Sequence, residues 1–147
     1  MNEINFKAAV SLILQAAAQG TPKHETVLTL GGTPQFLLDN GFPDLPLNIK
    51  GATIDKAHFD HGIPRGVLER LAEIITSPKA LYKSATVSGS AVVITLEMKA
   101  GSPILIPVHA NKPVGRSHAN FVASMYTKEA AVEERWKSEG LLLWAKS

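Results

Sequence analysis

His61, Asn120, Ser124 and Tyr126 are the residues of this chain whose types and spacing suit proton transfer and anion handling. Histidine is the side chain that gains and loses a proton near neutrality. In the segment Asn120 to Tyr126, Phe121, Ala123 and Met125 alternate with Asn120, Val122, Ser124 and Tyr126. On a strand, residues two apart share a face. The alternation predicts an oily face backed by a row of amide, hydroxyl and phenol, which suits the floor of a site; the rival is a structural polar ladder with Tyr126 half-buried against the sheet. Asn120 and Ser124, four apart, would share a face on a helix too, whereas Tyr126 joins them only on a strand.

Two further groups carry chemistry. His58 and His61 stand three apart in a segment with helical character, but a metal site needs a third ligand that the spacing does not supply. No metal and no cofactor is expected. His61, beside helix-ending Gly62, is the better acid or base, since a helix C-terminus favours imidazolium. The stretch 107–118 gathers His109, Asn111, Lys112, Arg116 and His118 at the end of a strand and in the loop after it. Such a cluster can hold a phosphate or stabilise a phosphorane oxyanion. Its bland rival is a solvated basic loop. Glycine-rich phosphate loops, nucleophile elbows and Asp-rich metal motifs are absent from the sequence.

Composition bounds the elements that must position these groups. The 147 residues are 45% hydrophobic and 19% charged, with a net charge of +2 and a pI near 8.9. That suits one folded domain that tolerates an anionic partner without demanding one. The chain contains no cysteine, which excludes disulfides and thiolate chemistry. The apolar run 8–18 is too short to span a membrane and lacks a basic segment before it, so neither a signal peptide nor a membrane partner is expected.

Residues 5–19 read as a helix, with a linker to residue 26, and 27–147 as one globular unit. Thr33 looks like an N-cap with Pro34 at the first helical position. Thr53 or Asp55 is expected to cap the helix that ends at Gly62, and 65–76 to form one amphipathic helix. From Ala80 the period turns to two, giving strands over 81–86, 91–99, 103–110 and 120–126. A charged helix at 128–138 and a short strand at 141–144 follow. Helices first and strands after predict an α+β fold, N-terminal helices packed on a roughly four-stranded antiparallel sheet.

With these residues in place, the chain resembles the phage MuF-C-type nuclease toxin domains of the barnase–EndoU–colicin–RelE superfamily. The resemblance covers roughly 27–146. It rests on Leu30-Gly-Gly-Thr-Pro34, Asp44-Leu-Pro-Leu47, Lys56 with His61-Gly62, and Leu71 leading to Ser77-Pro78. It continues through Tyr82-Lys83-Ser84, the 103–108 strand, Asn120-x-x-x-Ser124-x-Tyr126-x-Lys128, and Gly140-Leu-Leu with Trp144. It implies metal-independent RNA cleavage by 2′-OH transesterification, with His61, Ser124 and Tyr126 catalytic and Asn120, Lys128 and Lys83 on the substrate. Charge adds Arg116 to the catalytic group and Lys112 and His109 to the substrate contacts. The implied partners are RNA, tRNA included, and an immunity protein. The implied setting is a bacterial or phage protein acting in a target cell's cytoplasm after delivery with a phage particle or by a secretion system. The alternatives are a non-enzymatic RNA- or protein-binding module and a virion-associated structural protein.

Overall fold

The computed structural model describes residues 3–146. Helix α1 (Glu3–Ala18) forms over the Ala-, Leu- and Ile-rich stretch and ends ahead of Gly20, whose φ is +83°. Phe6, Val10, Ile13 and Leu14 recur three or four residues apart, and all four are buried. Each contributes about 1.5–3 kcal/mol relative to exposure, so α1 is part of the main core.

Eight strands form one sheet: β1 (Val27–Gly32), β2 (Pro46–Lys50), β3 (Ala80–Lys83), β4 (Ser90–Lys99), β5 (Ser102–Val114), β6 (Ser117–Val122), β7 (Tyr126–Thr127) and β8 (Leu142–Ala145). Their order is β1-β2-β6-β5-β4-β3-β8, with β7 also pairing β5. The fold is α+β, as the element order predicts. The sheet differs from expectation in being larger and mixed, because β1 and β2 pair with each other and β2 then docks parallel to β6.

The short helices are α2 (Gln35–Leu38), α3 (Gly51–Asp55), α4 (Arg65–Glu69) and α5 (Leu71–Ile74), with α6 (Ala131–Ser138) late in the chain. One sheet face, carrying Leu47, Leu81, Val93, Ile106, Val108 and Val122, packs on α1 to α5. The other, carrying Tyr82, Val92, Ile94 and Leu105, packs on Val132 and Trp136 of α6. A Lys79–Glu133 ion pair of 2.8 Å fastens α6 to the strand region. Burial, then the charge of Glu133, push the Tyr82 phenol up to about 12.

Several local expectations are corrected. Pro34 takes the N-cap of α2, and the Thr33 hydroxyl donates instead to the Leu45 carbonyl at 2.6 Å. Helix α3 starts at Gly51, ahead of Thr53 and Asp55, where the chain presses on an earlier loop. A Cβ at Gly51 would lie 2.0 Å from the Lys23 carbonyl oxygen. The 65–76 helix breaks at Arg70 (φ −101°, ψ 12°), which turns α4 into α5.

Candidate functional site

Helix α3 does not continue as an ordinary helix. Residues 56–60 form a π-helical turn, and the His61 amide donates to the Lys56 carbonyl five residues back, at 3.1 Å. Such turns are rare and recur at functional sites. The wider turn also ends the helical stacking of His58 with His61. The His58 Nδ1–H donates to the Ile63 carbonyl at 2.8 Å, while His61 sits half-buried at the end of the turn. Gly62, at φ +65°, carries the chain away from it. Lys99, the last residue of β4, brings its ammonium to the His61 carbonyl at 3.4 Å.

The segment expected to form one strand over 120–126 is two strands with a break. Val122 pairs with Val108 of β5, whereas Tyr126 pairs with Leu105. Four residues on one strand therefore oppose three on its neighbour, which is a bulge of one extra residue. Its effect is to reverse the facing. Asn120 and Val122 point to the α1–α5 side, while Tyr126 points with Leu105 towards α6. The expected row of Asn120, Ser124 and Tyr126 on one face is not present.

The bulge instead takes Tyr126 to the end of the sheet that carries His61. The two rings lie 6.2 Å apart between centroids, inclined at 54°. Burial raises the Tyr126 phenol above its ordinary pKa of 10.0. It is thus a proton-bearing donor at neutral pH, beside an imidazole that can take or give a proton. Ser124 lies half-buried in the irregular 123–125 connection, and Lys128 is exposed just beyond Tyr126.

Asn120 is fully buried. Its amide nitrogen donates to Thr33 Oγ1 at 2.8 Å and to the Pro43 carbonyl at 3.0 Å, and its oxygen accepts from the Asn111 amide at 3.0 Å. Those bonds tie the 33–45 segment to β6, so Asn120 serves the scaffold rather than touching substrate in this conformation.

The basic stretch 107–118 is a β-hairpin rather than a loop after a strand, with β5 and β6 turning at Gly115 (φ +59°). At about 3.3 Å per residue, Lys112 stands about 23 Å along β5 from Leu105, the partner of Tyr126, and Arg116 lies farther still, in the turn after Val114. The fold does not bring them to His61. His109 lies between the two groups, about 13 Å from Leu105 on the same count. The Ser90 hydroxyl contacts His109 Nδ1, and burial, then the Lys112 charge, lower the His109 pKa. Lys83 is on β3, opposite Ala91, and exposed.

Among the described residues, no three His, Asp or Glu side chains converge as metal ligands. Lys99 is the residue the sequence reading missed. Its place at a strand end is legible, but its nearness to His61 exists only through the topology.

Comparison with known proteins adds one finding. The family model for the phage MuF-C-terminal domain matches residues 52–147. The chain belongs to this family. No curated protein and no solved structure matches it. The MuF-C-terminal match begins inside α3 and takes in His61, Lys99, Ser124 and Tyr126. It leaves α1, β1 and β2 outside, although these complete the core and the sheet. No described helix is long and apolar enough to cross a membrane.

Proposed function

We propose that this MuF-C-terminal chain is a metal-independent endoribonuclease toxin of barnase–EndoU–colicin–RelE type, countered by an immunity protein. The observation that carries the reading is the His61–Tyr126 pair at the sheet end, with the Lys99 ammonium at the His61 main-chain carbonyl. His61 takes the proton of a ribose 2′-OH, and the freed oxygen attacks the adjacent phosphorus. The bond from phosphorus to the 5′-oxygen breaks, leaving a 2′,3′-cyclic phosphate, and the leaving oxygen regains a proton from the protonated imidazole or from water. Tyr126 donates a hydrogen bond to a phosphorane oxygen and Lys99 offsets its charge. Ser124 and Lys128 orient the phosphate from the same segment. The need for a 2′-OH makes DNA a non-substrate.

His109, Lys112 and Arg116 take a different role from the one their charge first suggests. They line the hairpin away from the reacting phosphate, where Lys112 and Arg116 attract flanking phosphates, an interaction that salt weakens, while His109, its pKa lowered, stays neutral. Delivery with a phage particle and action in a target cell's cytoplasm fit the phage family and the proposed chemistry. Expression in a bacterial cytoplasm tests the reading: growth arrest with RNA loss, relieved by His61→Ala, supports it. Harmless expression of the folded wild-type chain favours the binding or virion-structural alternatives.

A further inference from the structure

A separate cavity of about 480 Å³ opens between the start of α2, the segment after α5 and strand β8. Phe36 and Trp144 form its aromatic wall, 5.7 Å apart between centroids and inclined at 35°. Both residues are half-buried and line the opening. Pro34, Ser77 and Lys146 line it as well, the last an exposed cationic residue. Lys146 has no ion-pair partner among the described residues, unlike nearby Lys79, which is held by Glu133.

These features select a ligand chemistry. A volume of this size falls in the range of small-ligand sites, roughly 300–1,000 Å³. Aromatic faces favour a planar ring, and stacking a base on such a face is worth about 1–3 kcal/mol. The Lys146 side chain favours an anionic group beside that ring. An aliphatic ligand would leave the aromatic faces without a stacking partner, and a neutral aromatic would leave the cation unused. We propose that this cavity binds a nucleotide, its base against Phe36 and Trp144 and its phosphate at Lys146.

The site is distinct from the His61–Tyr126 pair. Trp144 pairs with Leu81, Leu81 with Val93, and Val93 with Ile106. Three strand spacings of about 4.8 Å place the cavity wall about 14 Å across the sheet from β5. The nucleotide comes either from the free pool or from a single-stranded RNA. In the second case the proposal rests on the ribonuclease reading and names a base-binding subsite for it.

Tryptophan fluorescence tests the proposal without relying on cleavage. The full chain is titrated with 5′-AMP, with adenosine and with inorganic phosphate. The His61→Ala variant is titrated with a short oligoadenylate, so that no RNA is cut. Saturable quenching by 5′-AMP or the oligonucleotide is expected, absent in Trp144→Phe and at least tenfold weaker in Lys146→Ala. Adenosine and phosphate alone bind more weakly. An oligonucleotide that saturates at a lower concentration than 5′-AMP identifies RNA as the source, and the reverse identifies the free nucleotide. No saturable response to either by about 1 mM, or a response unchanged by Lys146→Ala, overturns the proposal. Displacement of the indole resonance of Trp144 in the NMR spectrum gives a second readout where quenching is small.

Discussion

At the residue scale, two side chains from one motif have come to differ in kind. Asn120 is committed to three internal hydrogen bonds, whereas Tyr126 faces a histidine from another element. Asn120→Ala leaves the Thr33, Pro43 and Asn111 groups short of partners in a buried place, and each such loss costs about 1–3 kcal/mol. The expected result is a drop in unfolding free energy by denaturant titration of at least about 2 kcal/mol, with any loss of activity following unfolding. Tyr126→Phe should keep the fold and lower RNA cleavage about 100-fold, within the range for a proton-handling group. Arg116→Ala, in the turn at the far end of β5 from Leu105, should lower it only several-fold and flatten its salt dependence. Equal losses in the two variants would contradict the separation of the two groups.

The sequence marked His61 as a candidate because residue type and the following Gly62 are local signals. It allowed a structural role for Asn120 only as the rival to a site role, since two of its three partners lie 77 and 87 residues away. Tyr126 stood out as a candidate and was misread as to facing. A single extra residue in the ladder reverses every side chain after it, and nothing in the alternation of 120–126 announces that extra residue.

At the element scale, the turn that presents His61 is joined to the N-terminal part through Asp55. This carboxylate is 6% exposed, and neither of its oxygens has a hydrogen-bond partner. His24 Nε2 comes within 3.3 Å of it, and His58 faces it from the π-helical turn. Burial raises the Asp55 pKa and is the largest effect, with His24 and then His58 opposing it. An acid whose folded pKa is raised costs stability when ionised. That cost grows as pH climbs above 3.8 and is complete once pH passes the raised value. Asp55→Asn should therefore raise Tm at pH 7 and remove this part of the acid-range dependence. A lower Tm at pH 7 would mean that the contact with His24 outweighs burial.

The same element shows why helix starts were displaced in the sequence reading. Thr33, Thr53 and Asp55 are good capping residues by type, yet Thr33 is drawn to Leu45 and Asn120, and α3 begins where Gly51 fits beneath Lys23. Tertiary contacts overrode local chemistry at each. The hydrophobic periods of α1 and of the β4–β5 hairpin survived because they are long and answer directly to burial.

At the scale of the whole molecule, the core joins the family-matched segment to the residues before it. α1 places Phe6, Val10, Ile13 and Leu14 in the same cluster as Val93, Ile106 and Val122. Removing residues 1–26 strips that cluster of one wall. The truncated chain should be insoluble or lose cooperative melting, whereas the full chain should melt in a single transition. A well-folded, equally stable truncation would show that α1 is dispensable.

The α+β class followed from element order, but the mixed sheet did not. A parallel β2–β6 pair joins strands about 70 residues apart, and no local pattern encodes such a partner. The most direct test of the central claim is product analysis on single-stranded RNA incubated with the purified chain in EDTA, alongside a fully 2′-deoxy strand. The account predicts RNA fragments ending in 2′,3′-cyclic phosphate, an intact deoxy strand, and about 100-fold or greater loss in His61→Ala. Cleavage of the deoxy strand, or undiminished RNA cleavage by His61→Ala, would contradict it.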